Sequence, residues 1–341
     1  MPAMRLSSFV LAAVLAAASL SAETWDLSTI DNAAKTGQYA SIGTRFGRTH
    51  VAYYDASKQD LKYAFTDDDK NWKIEIVDSN GDVGQYASIA VDLKGFPHIS
   101  YYDATNHDLK YAVKIGTTWT INVVDAGFAG QFTSIAVDAE HRVYISYLDM
   151  ANWDLKYAYG KAGNWFITLI DAAGPVGFGS SIALDAKEQI HISYNDDAAN
   201  KVRYATNVGG VFSTTTLTPT SVAQPTAIAV DALGVVHIAI LSNGLLVHLD
   251  NASGNFVPET VDEVGPEEYD LSMATTDDGR ALITYYHPEK AELRLARKQQ
   301  GGTWTIDHLD AGGTYNAVCI DKDGRIRIAH YGSDSLRFAI N

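Results

Sequence analysis

From residue 24 onward, apolar and polar positions alternate with a period of two, in short runs broken by Gly, Asp and Asn. No stretch there carries the 3.6-residue period of an amphipathic helix. The runs come in groups of four, and the groups recur. An aromatic residue stands at Trp25, Trp72, Trp119, Trp165, Phe212, Phe256 and Trp304, at intervals of 47, 47, 46, 47, 44 and 48 residues. Each opens an alternating segment such as WKIEIVD (72–78) or WTINVVD (119–125). A Gly-containing loop follows, then a second segment, YASIAVD (86–92) or FTSIAVD (132–138), and a turn of the D-x-x-G kind, DLKG (92–95). The unit ends with a hairpin, HISYYD and DLKYA in residues 98–112. Four short strands every 47 residues or so predict a β-propeller.

The residue sizes set the phase. In the YASIAVD segment one column reads Ser41, Ser88, Ser134, Ser181, Ala227, Ser272 and Ala317. A second reads Gly43, Ala90, Ala136, Ala183, Ala229, Ala274 and Cys319. Between them runs a bulky column, Ile42, Ile89, Ile135, Ile182, Ile228, Met273 and Val318. Alternate residues of a strand face opposite sides, so one side is always small. Crowding at a central axis requires that, and the segment is placed innermost, with the Trp segment outermost. Blades then run over 38–78, 85–125, 131–171, 178–218, 224–262 and 269–310. The seventh, 314–341, has three strands of its own and takes TWDLSTID (24–31) as its fourth. The expectation is one all-β domain, 23–341, a seven-bladed propeller closed by its first strand, which removes the open sheet edge.

Residues 1–22 stand apart. One cation, Arg5, precedes the apolar run FVLAAVLAAASL and a small-residue end, SLSA, the pattern of a secretory signal cleaved near Ser21 or Ala22. A secreted or periplasmic protein is expected, without membrane insertion. Without that leader there are 25 Lys and Arg against 41 Asp and Glu, a net charge of −16. Such a surface repels phosphate backbones, which argues against nucleic acid as a partner. The only cysteine, Cys319, makes no internal disulfide, so packing and ring closure hold the fold. It falls in a small-residue column and is expected to be buried and inert. A monomer is expected, without cofactor or metal. DSNGD (78–82) has a calcium-loop composition but lacks the bidentate Glu spacing.

The turns between third and fourth strands carry GTTW (116–119), GGTW (301–304) and DDDKNW (67–72). They resemble the S-x-D-x-G-x-T-W Asp box of sialidase-like and BNR-repeat propellers, the acidic residue surviving in the first unit. The resemblance implies a structural turn away from any active site. Its relatives include secreted polysaccharide lyases and sugar-binding proteins. The arginine triad of the sialidases has no counterpart here, so that activity does not carry over.

Pairing Asp103 with Asp108 puts Tyr101 opposite Lys110, and the set recurs as Tyr53, Asp55, Asp60, Lys62 and as Tyr147, Asp149, Asp154, Lys156. It reads either as a network stitching each blade to its neighbour or as a ring of equivalent pockets. At the channel mouth, Gln38, Gln85, Gln131 and Gln224 end the outer-to-inner loops, where amides line the funnel or cap their own loops. On the same face Trp153, His107, Phe128 and Phe178 suit stacking on sugar rings. The repeat breaks most in the last blades, where His287 replaces an Asp and His330 a Tyr. With Tyr285, Arg294 and Arg337 they supply the base, acid and cation that a polysaccharide lyase requires. Two readings follow: a non-enzymatic binding propeller for a glycan or an extracellular protein, or a glycan-cleaving enzyme built on blades six and seven.

Overall fold

In the computed structural model, residues 24–161, 163–217, 223–265 and 270–341 are described; the leader read at 1–22 lies outside them. Their strands form seven four-stranded antiparallel sheets. Blade one comprises Thr36–Arg45, Arg48–Asp55, Asp60–Thr66 and Lys73–Asp78, in that order from the axis outward. The next five repeat this order, and the first strands of adjacent blades lie against one another all the way round. Blade seven has Thr314–Ile320, Ile326–Gly332 and Ser335–Ile340, completed by Asp26–Asp31 from the start of the chain. That strand runs antiparallel to the last, with Asp26 opposite Ile340 and Thr29 opposite Arg337. The ring has seven sectors and closes as the pattern predicts. Among the described residues no helix is long and apolar enough to cross a membrane.

The small column has a chemical use as well as a steric one. Ser41, Ser88, Ser134, Ser181 and Ser272 each accept the backbone N–H of the next blade's inner strand, from Ile89, Ile135, Ile182, Ile228 and Val318, at 3.0 to 3.4 Å. A longer side chain would hold those strands apart. The apolar core is divided among the seams between blades. One wedge joins Leu61, Tyr63 and Val77 of blade one to Val83, Ile89, Ile99 and Tyr101 of blade two. The aromatic at each outer strand's start spans the same seam: Trp119 meets Tyr63 edge-on at 5.1 Å, Trp165 meets Tyr111 at 5.0 Å and Trp72 meets Phe338 at 5.0 Å. These contacts explain the 47-residue aromatic period.

The hairpin set answers to the same seams. Asp103 pairs with Asp108 and Tyr101 with Lys110, and the Tyr and Lys reach into the preceding blade. The Tyr101 hydroxyl donates to Asp78 at 2.7 Å and the Lys110 ammonium at 2.5 Å, and Lys110 also faces Asp103 at 3.5 Å. Tyr53 and Lys62 meet Asp31, Tyr147 and Lys156 meet Asp125, and Tyr194 and Arg203 meet Asp171. The acceptor is always the last residue of the previous outer strand's repeat. In blade five the cross-seam trio of acceptor, Tyr and cation is exchanged for Leu217, Ile240 and Val247, which pack in one apolar cluster.

At the opposite rim of the ring a histidine column pairs with tyrosines: His50 with Tyr63, His98 with Tyr111 and His191 with Tyr204, at 2.6, 2.6 and 2.5 Å. Burial lowers all three imidazoles, His50 to about 4, where Arg48 and Lys114 add to the effect against Asp67. Asp92 and Asp185 oppose the shift at His98 and His191, and His141 reinforces it at His98. An unfolded histidine takes its proton near pH 6.5, so the unfolded chain binds more protons below that pH and stability falls with acid. His50 alone accounts for about 3 kcal/mol, present above pH 6.5 and lost progressively toward pH 4. Denaturant titrations at pH 7.5 and 4.5 should show a lower midpoint in acid. In His50→Phe the slope between those pH values should be shallower; an unchanged slope would refute this source.

Candidate functional site

Each inner strand begins with a kink that the repeat encodes. In blade one, Thr36 lies opposite Asp55, Gln38 opposite Tyr54 and Ser41 opposite Ala52, so the register slips twice within five residues. Blades two and three slip at the equivalent points. The slip is made by left-handed backbone at Gly84 (φ 107) and Tyr86 (φ 54) in blade two, with the same pair at Gly37 and Tyr39 in blade one. Gly84 has a second reason to be glycine: a Cβ there would lie 2.8 Å from the Leu61 Cα of the preceding blade.

The bulge selects the residue after the glutamine to face the channel. Tyr39, Tyr86, Phe132, Gly179, Pro225, Asp270 and Tyr315 occupy equivalent places, and all seven line one cavity of about 370 Å³ on the axis. Ala40, Thr133, Ser180, Leu271 and Asn316 complete much of its wall. The aromatic members touch in sequence round the ring: Tyr315 to Tyr39 at 4.7 Å, Tyr39 to Tyr86 at 4.7 Å and Tyr86 to Phe132 at 4.8 Å between centroids. Phe132 continues to Phe178 at 6.0 Å, and Phe178 stacks on Trp153 at 5.5 Å and 17°. Trp153 is 47% exposed. An unbroken aromatic track thus leads from the axis to the outer loops. Beside it, His107 stacks on the exposed Phe128 at 4.8 Å and 9°, and its Nδ1 is 2.7 Å from the Tyr102 hydroxyl.

The cavity is electrostatically one-sided. Among the described residues its lining holds one carboxylate, Asp270, and no Lys, Arg or His. Asp270 accepts the backbone N–H of Tyr315 at 2.8 Å, and its carbonyl accepts from the Asn316 amide at 2.9 Å. Burial raises its carboxyl above the ordinary range. Burial also raises the phenols of Tyr39, Tyr86 and Tyr315, and the Asp270 charge adds to each, so all three stay protonated donors. Further along the inner strand Cys319 is half-buried rather than fully buried as its column suggests, and desolvation pushes its thiol up to about 12, which keeps it protonated at neutral pH.

The glutamines take a supporting place. Gln85 donates to both oxygens of Asp82 at 3.2 Å, and Asp82 also accepts from the Tyr54 hydroxyl at 2.7 Å and from Gln59 at 3.3 Å. Gln38 supports the Tyr331 hydroxyl, and Gln131 is half-buried beside Phe132. The Gln224 side chain lies outside the described residues. In the DSNGD loop, Asp78 and Asp82 are committed to these tyrosines and to Lys110.

His287, Tyr285, Arg294, His330 and Arg337 are not brought to one cleft. Tyr285 and Arg294 pair in register and both reach Asp262, at 2.5 and 2.9 Å, in the seam between blades five and six. His287 is buried opposite Glu292, which also accepts from Arg294 at 2.7 Å. His330 is wholly buried with its Nε2 3.3 Å from Asp310, which accepts from Arg337 at 2.6 Å in the next seam. Both groups are copies of the stitching network.

Among the described residues, His237, His248 and Asp250 offer ligand atoms within 4.8 Å of one another. His237 Nδ1 is 3.0 Å from His248 Nε2, within hydrogen-bond reach. The Lys298 ammonium pairs with Asp250 at 3.4 Å and with Glu259, a fixed positive charge that opposes a metal cation there.

No family model matches the sequence, and no curated protein matches it. Solved structures do resemble the fold. A triple-arginine variant of AofleA from Arthrobotrys oligospora aligns with a TM-score of 0.57 at 14% identity, covering 85% of this chain and 90% of that one. The fucose-recognising lectin of Aleuria aurantia, a six-bladed propeller, aligns at 0.56 and 12%, covering 82% and 96%. The polysaccharide lyase Uly1 aligns at 0.58 and 11%, covering 88% and 89%. At such identities the likeness is one of fold.

Proposed function

We propose that the protein is an exported, non-enzymatic binding propeller that engages carbohydrate on its channel-mouth face. The observation that carries this reading is the aromatic track from Tyr315 through Tyr39, Tyr86, Phe132 and Phe178 to the exposed Trp153. A sugar ring has an apolar face of C–H groups and a rim of hydroxyls. Flat aromatic surface bordered by phenol, amide and carboxylate groups matches both. The lectin and the lyase among the structural neighbours lend support from proteins of related architecture. Against the lyase reading stands the placement of its five residues, which are engaged in two separate seams.

Glycan arrays should find a ligand, and Trp153→Ala should weaken it by about tenfold, the loss of one stacking contact. The same variant should keep its unfolding midpoint, since Trp153 lies at a loop tip. If uronate polysaccharides instead gave an unsaturated, ultraviolet-absorbing product, the binding-only reading would be wrong.

A further inference from the structure

The carboxylates that close the seams of this ring are faced by cations. Asp31 has Lys62, Asp78 has Lys110, Asp171 has Arg203, Asp262 has Arg294 and Asp310 has Arg337. Asp270 departs from that rule. It stands in the channel column where three other blades present tyrosine, and its described partners are backbone groups and Asn316. A carboxylate partly withdrawn from water is held ionised by a positive partner, and the described walls of this cavity supply none.

The walls nevertheless favour a cation. Aromatic faces and phenolic oxygens are both electron-rich, and Tyr315, Tyr39, Tyr86 and Phe132 stand in contact round one side of the cavity. The chain's net charge of −15 adds a long-range attraction. A calcium-like ion fits poorly, because it asks for six or more oxygen ligands and the described lining has one carboxylate among protonated phenols. A hydrogen-bonding or methylated ammonium on an organic body asks for less: one counter-ion and a π-rich wall. A cavity of about 370 Å³ has room for a body of monosaccharide size.

We propose that the axial cavity is a receptor for an organic ammonium group, with Asp270 as its counter-ion and Tyr39, Tyr86 and Tyr315 as its cage. Resting on the carbohydrate reading above, the natural source is an amino sugar whose nitrogen is free rather than acetylated. Calorimetry on the mature protein would compare a glucosamine oligosaccharide, its N-acetylated counterpart, choline chloride and calcium chloride. The expected result is binding of the free amine at least tenfold tighter than the acetylated sugar. Asp270→Asn, which keeps an acceptor for the Tyr315 N–H, should remove that preference, and Tyr39→Leu should weaken the amine in parallel. Affinity should also fall as pH drops and Asp270 takes up a proton. Equal affinity for the free and acetylated sugars, or an unchanged preference in Asp270→Asn, would overturn the proposal while leaving carbohydrate binding intact. Tight calcium binding dependent on Asp270 would overturn it too. Asp270-dependent binding of choline, with no glycan bound at all, would support the ammonium receptor and remove the carbohydrate reading.

Discussion

Asp78→Ala is expected to lower unfolding free energy by about 3 kcal/mol, because it leaves the buried Lys110 ammonium with only the more distant Asp103 and the Tyr101 hydroxyl without its acceptor. Asp78 and Lys110 are 7% and 8% exposed, and Tyr101 is fully buried. The informative partner experiment replaces the whole set at once. Blade five shows how: Leu217, Ile240 and Val247 fill the three positions with apolar atoms. The triple variant Asp78→Leu, Tyr101→Ile, Lys110→Val should therefore lie within about 2 kcal/mol of the parent, because the cation leaves together with its cross-seam carboxylate while Asp103 keeps its Thr105 and Asn106 donors. Denaturant midpoints of the two proteins decide the matter. If the triple variant falls as far as Asp78→Ala, the network contributes net stability rather than balancing its own desolvation.

Removal of residues 24–31 from the mature chain should have the largest effect of all. The deletion uncovers the hydrogen-bonding edge of Ser335–Ile340, which Asp26–Asp31 now occupies. It also deletes Asp31, leaving the Tyr53 hydroxyl and the Lys62 ammonium without their partner across the closing seam. Ile30 leaves the wedge that holds Val51, Tyr53, Leu336 and Phe338. An exposed apolar edge strand invites pairing between chains, so the expected product is aggregated or oligomeric rather than a cooperative monomer. Light scattering and a thermal scan would show it. A soluble monomer with an unchanged transition would mean that the ring does not depend on its closing strand.

The ring was legible because its signals are periodic. Seven aromatics at near-equal intervals, a small column flanking a bulky one and a first strand with no blade of its own led to the observed order and closure. The register of the hairpins followed from pairing Asp103 with Asp108. The site was less legible, and one local device accounts for it. The glutamines recur at the end of the outer-to-inner loops, and that recurrence carries no sign of a bulge in the strand that follows. Left-handed backbone at Gly84 and Tyr86 inserts the slip and gives the channel to the tyrosine instead. A signal was available in the column two residues before the small one, which reads Tyr39, Tyr86, Phe132, Gly179, Pro225, Asp270 and Tyr315. An acid in a column of aromatics marks a departure that packing alone does not require. His287 and His330 drew notice for the same kind of departure, yet their neighbours are the Glu, Arg and Asp of ordinary seams. Sequence shows that a repeat breaks; only position in space shows whether the break faces solvent or a seam.

The channel column carries aromatics through four consecutive blades, seven, one, two and three, and then gives way to glycine, proline and aspartate. Sevenfold architecture is thereby reduced to a lopsided crescent with a single anionic pole. On the proposed reading the axis offers one seat per chain, so a solitary copy would be monovalent there, and any crosslinking of cells or polymers through this seat would demand that several copies assemble.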